Sequence, residues 1–259
     1  MSHIRRETEG TIARIVLARP EKRNALTTGM LEELEAAAVA LIAEPEVRAV
    51  ILEADGRDFS VGMDVAEMRR APQPTVLLRR TAGQGARTMR AILEIPQPVV
   101  CAIQGIATGG AAALASACDF RVAASDARIG YGEVKLGINL MWNALGPLVR
   151  LVGPAKAKRM VMSGDLVPAQ TLMDWGYIDE LAAPADLASA ALAMAETYGA
   201  LPPVAVQMIK RSVNALAHAL DPAILHADTD QWLLSARTAD HREAVTAFLE
   251  KRTGRFSGD

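Results

Sequence analysis

The stretch Pro98–Asp119, PVVCAIQGIATGGAAALASACD, constrains this chain more than any other, because no charged side chain occurs between Val99 and Cys118. It divides into three parts. Val99–Gln104 is a short apolar run with β-branched residues, Gly105–Gly109 is a glycine-marked turn, and Gly110–Cys118 is a nearly all-apolar run rich in alanine. The pattern predicts a buried strand, a tight turn, and a helix whose first N–H groups face outward from the turn. Such a helix start holds unpaired donors and the positive end of a dipole, so it can receive a negative oxygen. Gln104, Thr108 and the three glycines interrupt the run and argue against a membrane span, which needs about 20 apolar residues. A helix that is apolar all round fits the core of a large soluble domain.

With 259 residues and 51% hydrophobic composition, the chain can bury a substantial core, as one domain or a domain with an appendage. The net charge of −2 supplies no basic field for nucleic acid or an anionic membrane surface, which points to a small-molecule partner. Cys101 and Cys118 are the only cysteines, and their place in the apolar stretch reads as inert core thiols. MSHIRRETEG at the start lacks an apolar secretion segment and no other stretch reads as an anchor, so a cytoplasmic protein is expected.

Thr11–Ala18 reads as a strand and Arg19–Asn24 as a charged turn. Thr27 or Thr28 can cap a helix over Leu31–Ala43 that stops before Pro45. Val47–Glu53 is the next strand, and DGRDFSVGMD at Asp55–Asp64 turns sharply into the short segment Val65–Met68. After a break at Ala71–Pro74, Val76–Ile95 reads as an amphipathic helix interrupted by Gly83 and Gly85, its arginines a solvated face. Beyond the central stretch, Phe120–Ala124 and Ala127–Gly130 read as strands. Met141–Val152, Pro154–Ser163 and Pro168–Trp175 read as helices, the last closed by Gly176. Ile178–Leu181 returns as a strand. Alternating strands and helices predict parallel βαβ units. From Asp186 onward the segments are helical only: Asp186–Tyr198, Pro203–Leu220, Pro222–Ser235 and Thr238–Arg252. The change places a boundary near Leu201–Pro203, with residues 1–200 as core and 201–259 as a helical region that packs on the core or on another subunit.

Two glycine-marked turns, Phe59–Asp64 and Ile106–Gly110, each follow a strand and lead into a helix-like segment. Two backbone N–H groups brought together there would bind a developing oxyanion; equally, such glycines can be turns and nothing more. There is no G-x-G-x-x-G, no GK[ST] and no G-x-S-x-G, and the four histidines lie at the N-terminus or on C-terminal helices. Glu133 is the notable carboxylate, set between apolar Ile129–Tyr131 and Val134–Leu136. Either it pairs with Lys135 or Arg128, or it is desolvated with a raised pKa and can shuttle protons. Asp119 reads as a structural hydrogen-bonding group.

RPEKRNALT at Arg19–Thr27, FSVGMD at Phe59–Asp64, QGIATGGAAALASACD at Gln104–Asp119 and EAVTAFLEKRTGRF at Glu243–Phe256 are together specific. On these segments the chain resembles the crotonase superfamily, the enoyl-CoA hydratase/isomerase family, over nearly its whole length. The resemblance implies an α/β fold, a crotonase-like spiral of ββα units with a C-terminal helical trimerisation region, assembled as a homotrimer or a hexamer of two trimers. It implies an acyl-CoA substrate, with coenzyme A part of the substrate rather than a separate cofactor. By the same resemblance the oxyanion donors are the N–H groups of Met63 and Gly110, and Glu133 is the catalytic glutamate. Arg23, Ala25, Asp64 and Val65 fall at the coenzyme A pocket, and Phe248 and Lys251 match residues that reach its nucleotide end, often from a neighbouring subunit.

The chain also departs from the family. Ala113 stands where hydratases carry a second glutamate that orients water, Ala111 replaces the third glycine of the signature, and Gln104 replaces its Asn. Asn139, Met141 and Trp142 stand where many hydratases have a Pro-Gly-Gly-rich loop, so a reshaped acyl pocket is expected. Alanine cannot activate water, whereas one glutamate suffices to move a proton along an enolate-stabilised acyl group. Double-bond isomerisation is therefore favoured over hydration and over other crotonase-type reactions; a non-catalytic RNA-binding scaffold is disfavoured by the charge.

Overall fold

The structure is a computed structural model that describes residues 2–64 and 74–259. The segment Val65–Met68, most of the break at Ala71–Pro74 and the expected pocket residue Val65 lie outside the described residues. The strands are β1 (Ile4–Glu9), β2 (Ile12–Leu17), β3 (Ala49–Ala54), β4 (Val99–Ile103), β5 (Ile106–Thr108), β6 (Phe120–Ala124), β7 (Arg128–Gly130), β8 (Val167–Pro168) and β9 (Glu180–Ala182). The helices of the first part are α1 (Thr28–Ala40), α2 (Thr75–Thr81), α3 (Gln84–Leu93), α4 (Gly110–Ala117), α5 (Leu145–Ser163) and α6 (Ala169–Trp175). They are followed by α7 (Leu187–Gly199), α8 (Pro203–Ala217), α9 (Pro222–Leu225), α10 (Asp228–Ser235) and α11 (Ala239–Glu250).

One sheet runs β1-β2-β3-β4-β6-β9, antiparallel only at β1–β2 and parallel elsewhere. The parallel pairs need crossovers, and these deliver α1, α3 and α4 between successive strands. Strand β4 is buried at every residue, as a central parallel strand covered on both faces requires. Helix α7 lies across β3, β4 and β6, α1 packs on α3, and α3 packs on α4. The second sheet, β5-β7-β8, is small and carries the turn that leads into α4.

Several expectations are met closely. Thr27 caps α1 by accepting from the Met30 N–H at 3.1 Å, and Gly176 closes α6 in the left-handed region at φ 83°. Others are corrected. Strand β1 was not expected, because IRRETE is charged and exposed along most of its length; its pairing with β2 across the turn at Gly10 forms it. The turn Gly105–Gly109 contains β5, whose short run pairs with β7. The helix expected over Val76–Ile95 is two helices, broken around Gly83. The segment Pro222–Ser235 likewise divides into α9 and α10. Met141–Ala144 stays outside α5, since Trp142 and Asn143 both have positive φ. The two helices expected on either side of Gly153 are both present: within Leu145–Ser163 the backbone at Gly153, φ 77° and ψ 164°, is not helical, and Pro154 opens the second stretch of α5.

Helix α4 is buried from Gly110 to Ala117 and is fixed at its end by Arg121, itself only 3% exposed. The Arg121 guanidinium donates to the carbonyls of Cys118 at 2.8 Å, Asp119 at 3.1 Å and Tyr177 at 2.6 Å, and pairs with Asp179 at 3.0 Å. A cation there satisfies orphan carbonyls and opposes the negative end of the helix dipole. Asp119 is structural as expected, accepting from the Val99 N–H at 2.8 Å and pairing with Lys210 at 2.5 Å. Replacing Arg121 with Met should strand these acceptors and cost about 3 kcal/mol or more, the scale for breaking a buried, hydrogen-bonded charge. Urea titration that found a loss under about 1 kcal/mol would remove Arg121 as the anchor of α4.

Candidate active site

Two glycine turns meet at the N-terminus of α4. In an extended strand successive N–H groups alternate in direction. Yet Val61 donates to the Arg23 carbonyl at 3.2 Å and Asp64, three residues on, donates to the Leu26 carbonyl at 2.8 Å, so both face the same side. Gly62, at φ 84°, supplies the break in phase that allows this. Met63, bridged to Leu26, consequently turns its own N–H away from Leu26. On the other side the loop is stitched to β5, Ser60 donating to the Ile106 carbonyl and Thr108 to that of Ser60. The contact is close enough to exclude a side chain: a Cβ on Gly62 would stand 2.8 Å from the Thr108 carbonyl oxygen and 3.9 Å from the Gly109 Cα. Gly109, at φ 58° and ψ −124°, then starts α4.

Among the described residues the Met63 and Gly110 N–H groups make no hydrogen bond. For Gly110 this follows from its place at the first helical position. Two donors beside one glycine contact, one of them at the positive end of a buried helix, could together receive an oxygen that gains charge.

Glu133 completes the site. It begins a single 3₁₀ turn, Glu133–Leu136, and its Oε1 lies 3.0 Å from where a Cβ on Gly109 would stand. Neither of its expected ion-pair partners reaches it: Lys135 pairs with Asp165 at 2.7 Å, and Arg128 turns to the Leu166 carbonyl. The Oε2 atom is sealed from solvent and has no hydrogen-bond partner among the described residues. Burial accordingly pushes the carboxyl up from about 4.5 to about 7, with its own backbone N–H opposing weakly. The position is set from below by Tyr131, whose hydroxyl donates to the Ala112 carbonyl at 3.3 Å; the Tyr177 hydroxyl joins it at 2.9 Å. From above, α11 closes on the turn, His241 meeting the Leu136 carbonyl at 2.6 Å while Gly137 lets its backbone approach.

The remaining candidates are dispersed. Asp64 is held by Arg19 at 2.7 Å, and the same guanidinium donates to the Ala25 carbonyl, so Ala25 and Asp64 share one anchor. Arg23, in the left-handed region at φ 52°, pairs with buried Asp58 at 2.7 Å. Phe248 is 58% exposed and Lys251 is exposed at the end of α11. Ten residues separate Lys251 from His241, about 15 Å along a helix, so the end of α11 stands well away from Glu133.

The enoyl-CoA hydratase/isomerase family matches residues 7–259 of the chain. The chain belongs to that family. A short-chain-enoyl-CoA hydratase of Clostridium acetobutylicum is 31% identical over 95% of this chain and 94% of its own. A 1,2-epoxyphenylacetyl-CoA isomerase of Escherichia coli is 29% identical over 100% and 99%. Among solved structures, an enoyl-CoA hydratase/isomerase of Xanthobacter autotrophicus Py2 superposes with a TM-score of 0.84 at 30% identity, covering 98% of this chain and 99% of that one. The crotonase-like α/β fold is thereby established for this member of the family.

Within this enoyl-CoA hydratase/isomerase family member, sequence reasoning missed what holds the site. The tyrosines on Ala112 and the guanidinium on Asp64 make their contacts across the fold, and no local spacing announces them. The phase break at Gly62 was legible in principle, since a glycine in a run that must pair on both sides marks a change of direction.

The raised Glu133 carboxyl has a consequence for stability. Below pH 4.5 the group is neutral folded and unfolded; as pH rises through about 7 the folded chain must hold a desolvated charge, and stability is lost. Glu133→Gln removes that loss, so its melting temperature should gain on the native protein between pH 5 and pH 8. An unchanged difference across that range in calorimetric melting would contradict the desolvated carboxylate. Gly62→Ala, which pushes a Cβ at the Thr108 carbonyl, should separate the two donors and cost on the order of 10²-fold in turnover, measured beside a melting curve.

Proposed function

We propose that this enzyme isomerises the double bond of unsaturated acyl-CoA thioesters, with Glu133 carrying a proton between the α and γ carbons. The thioester oxygen would sit between the N–H groups of Met63 and Gly110. Glu133 takes a proton from one carbon, the electron pair moves into the carbonyl as a dienolate held by the two donors, and the same carboxyl returns the proton at the other carbon. Atoms balance without water or a second catalytic group. The observation that carries this reading is the Glu133 carboxylate, whose Oε2 is sealed from solvent and without a hydrogen-bond partner among the described residues, at the same helix start as the two free donors, with Ala113 where a water-orienting carboxylate would stand. A carboxyl titrating near 7 suits a group that both accepts and returns a proton.

Hydration is the second reading, favoured by the hydratase names of relatives such as those of Clostridium acetobutylicum and Syntrophomonas wolfei. The carboxylate count weighs against it. Assembly belongs to the same proposal. Val204, Met208, Ile209, Val213, Leu216 and Leu220 on and just beyond α8 are each more than half exposed, an apolar face suited to another copy of the chain. A cleft of about 490 Å³ between α8 and the end of α4 continues that face. Trimeric packing of residues 201–259 would let Phe248 and Lys251 reach coenzyme A bound to a neighbour. No helix among the described residues is long and apolar enough to cross a membrane.

Incubation with β,γ- and α,β-unsaturated acyl-CoA panels, read by mass and by the position of the double bond, decides between the readings. The expected product has the mass of the substrate; a product heavier by one water from every substrate would replace isomerisation with hydration. Glu133→Gln should remove almost all turnover while acyl-CoA affinity stays within a few-fold, since the amide keeps shape and loses basicity. Near-normal turnover in that variant would make Glu133 structural. Light scattering should find a trimer or larger, and a stable monomer would overturn the assembly.

A further inference from the structure

The loop Asn139–Ala144 inserts one aromatic ring into the site. Trp142 is 6% exposed, and its indole lies between two glycines on different helices. A Cβ on Gly85 of α3 would stand 2.0 Å from the ring, and one on Gly110 of α4 would stand 2.4 Å from it. No side chain but hydrogen fits at either position while the ring is there. Glycine is a poorer helix residue than alanine, and the seating of the ring explains its presence at position 85.

The backbone that presents the ring is also held under strain. Trp142 and Asn143 are consecutive non-glycine residues at φ 69° and 60°, a conformation that persists only where surroundings enforce it. Helix α10 supplies the enforcement. Asp228, at its head, accepts from the Asn143 N–H at 3.2 Å and also from the Trp142 N–H. Further along the helix, Ser235 accepts from the Asn139 N–H at 3.0 Å and Gln231 from the Asn139 amide at 2.9 Å.

Gly110 carries one oxyanion donor and Gly109 faces the Glu133 carboxylate, so a thioester held there meets the carboxylate on one residue and the indole on the next. We infer that Trp142 is a specificity-determining residue, a fixed wall that confines the acyl group to short chains. The inference rests on the acyl-CoA reading above and adds the acyl class. Ala113, one helical turn beyond Gly110, lies on the same face of α4, so the wall stands near the place where a second carboxylate is missing.

Calorimetric binding of two saturated thioesters, butyryl-CoA and dodecanoyl-CoA, tests the wall without requiring turnover. The native protein should prefer butyryl-CoA by roughly tenfold or more, and Trp142→Ala should abolish or invert the preference, as pocket-size changes of this kind do. Trp142→Phe, which keeps a flat ring and decides the matter if the alanine variant does not fold, should give an intermediate ratio. The same ratio in the native protein and in a folded variant, or a native preference for dodecanoyl-CoA, would overturn the wall while leaving the acyl-CoA reading intact. Failure of the native protein to bind either thioester would instead overturn the acyl-CoA reading, and the wall with it.

Discussion

Everything at this site depends on where the N-terminus of one buried helix points. Helix α4 is built of small residues, so neighbouring backbone can approach it closely, and it is gripped along its length. Arg121 holds the C-terminal carbonyls and the two tyrosines hold the Ala112 carbonyl, while the Gly62–Gly109 contact brings the second donor to its start. Preorganisation of this kind matters because donors aimed in advance at a developing charge need no rearrangement when it appears. A helix free to shift by an ångström would forfeit much of that advantage.

The same rigidity sets the electrostatics of Glu133. A carboxylate beside Gly109 with no cation and no donor on Oε2 among the described residues is expensive to ionise, and the rise to about 7 expresses that expense. The cations nearest it in sequence are engaged elsewhere, Lys135 with Asp165 and Arg128 with the Leu166 carbonyl. Had either reached Glu133, its pKa would have fallen and the group would have been a poorer proton carrier at neutral pH. The ion pairs around the site therefore serve it partly by keeping their distance.

How much of this was legible in the sequence divides along a physical line. The charge-free stretch announced β4 and α4 and the glycine spacing announced the two turns, because each is a local property of the chain; the apolar neighbours of Glu133 left desolvation open beside an ion pair with Lys135 or Arg128, and the structure decides between them. The loop of Trp142 was expected to reshape the acyl pocket, but the seating of its ring was not legible. A tryptophan in a loop gives no sign that Gly85, dozens of residues earlier, has made room for its ring, and nothing near Asn143 points to Asp228. Likewise β1 forms because β2 offers it an edge, against the tendency of its own charged sequence. Contacts between distant segments override local preference where burial or pairing rewards them.

The loop and the missing carboxylate belong to one argument. A site that adds water needs room for the water and a group to orient it, and both requirements fall on the face of α4 that carries Gly110 and Ala113. Here that face is apolar: alanine occupies one position and an indole lies against the other. In the proposed isomerisation an apolar wall would exclude competing water from the dienolate and leave proton return to the carboxyl that removed the proton. The strained backbone of Trp142–Asn143, costly by itself, is thus what an isomerase would need to keep that face closed, and α10 is the element that holds it there.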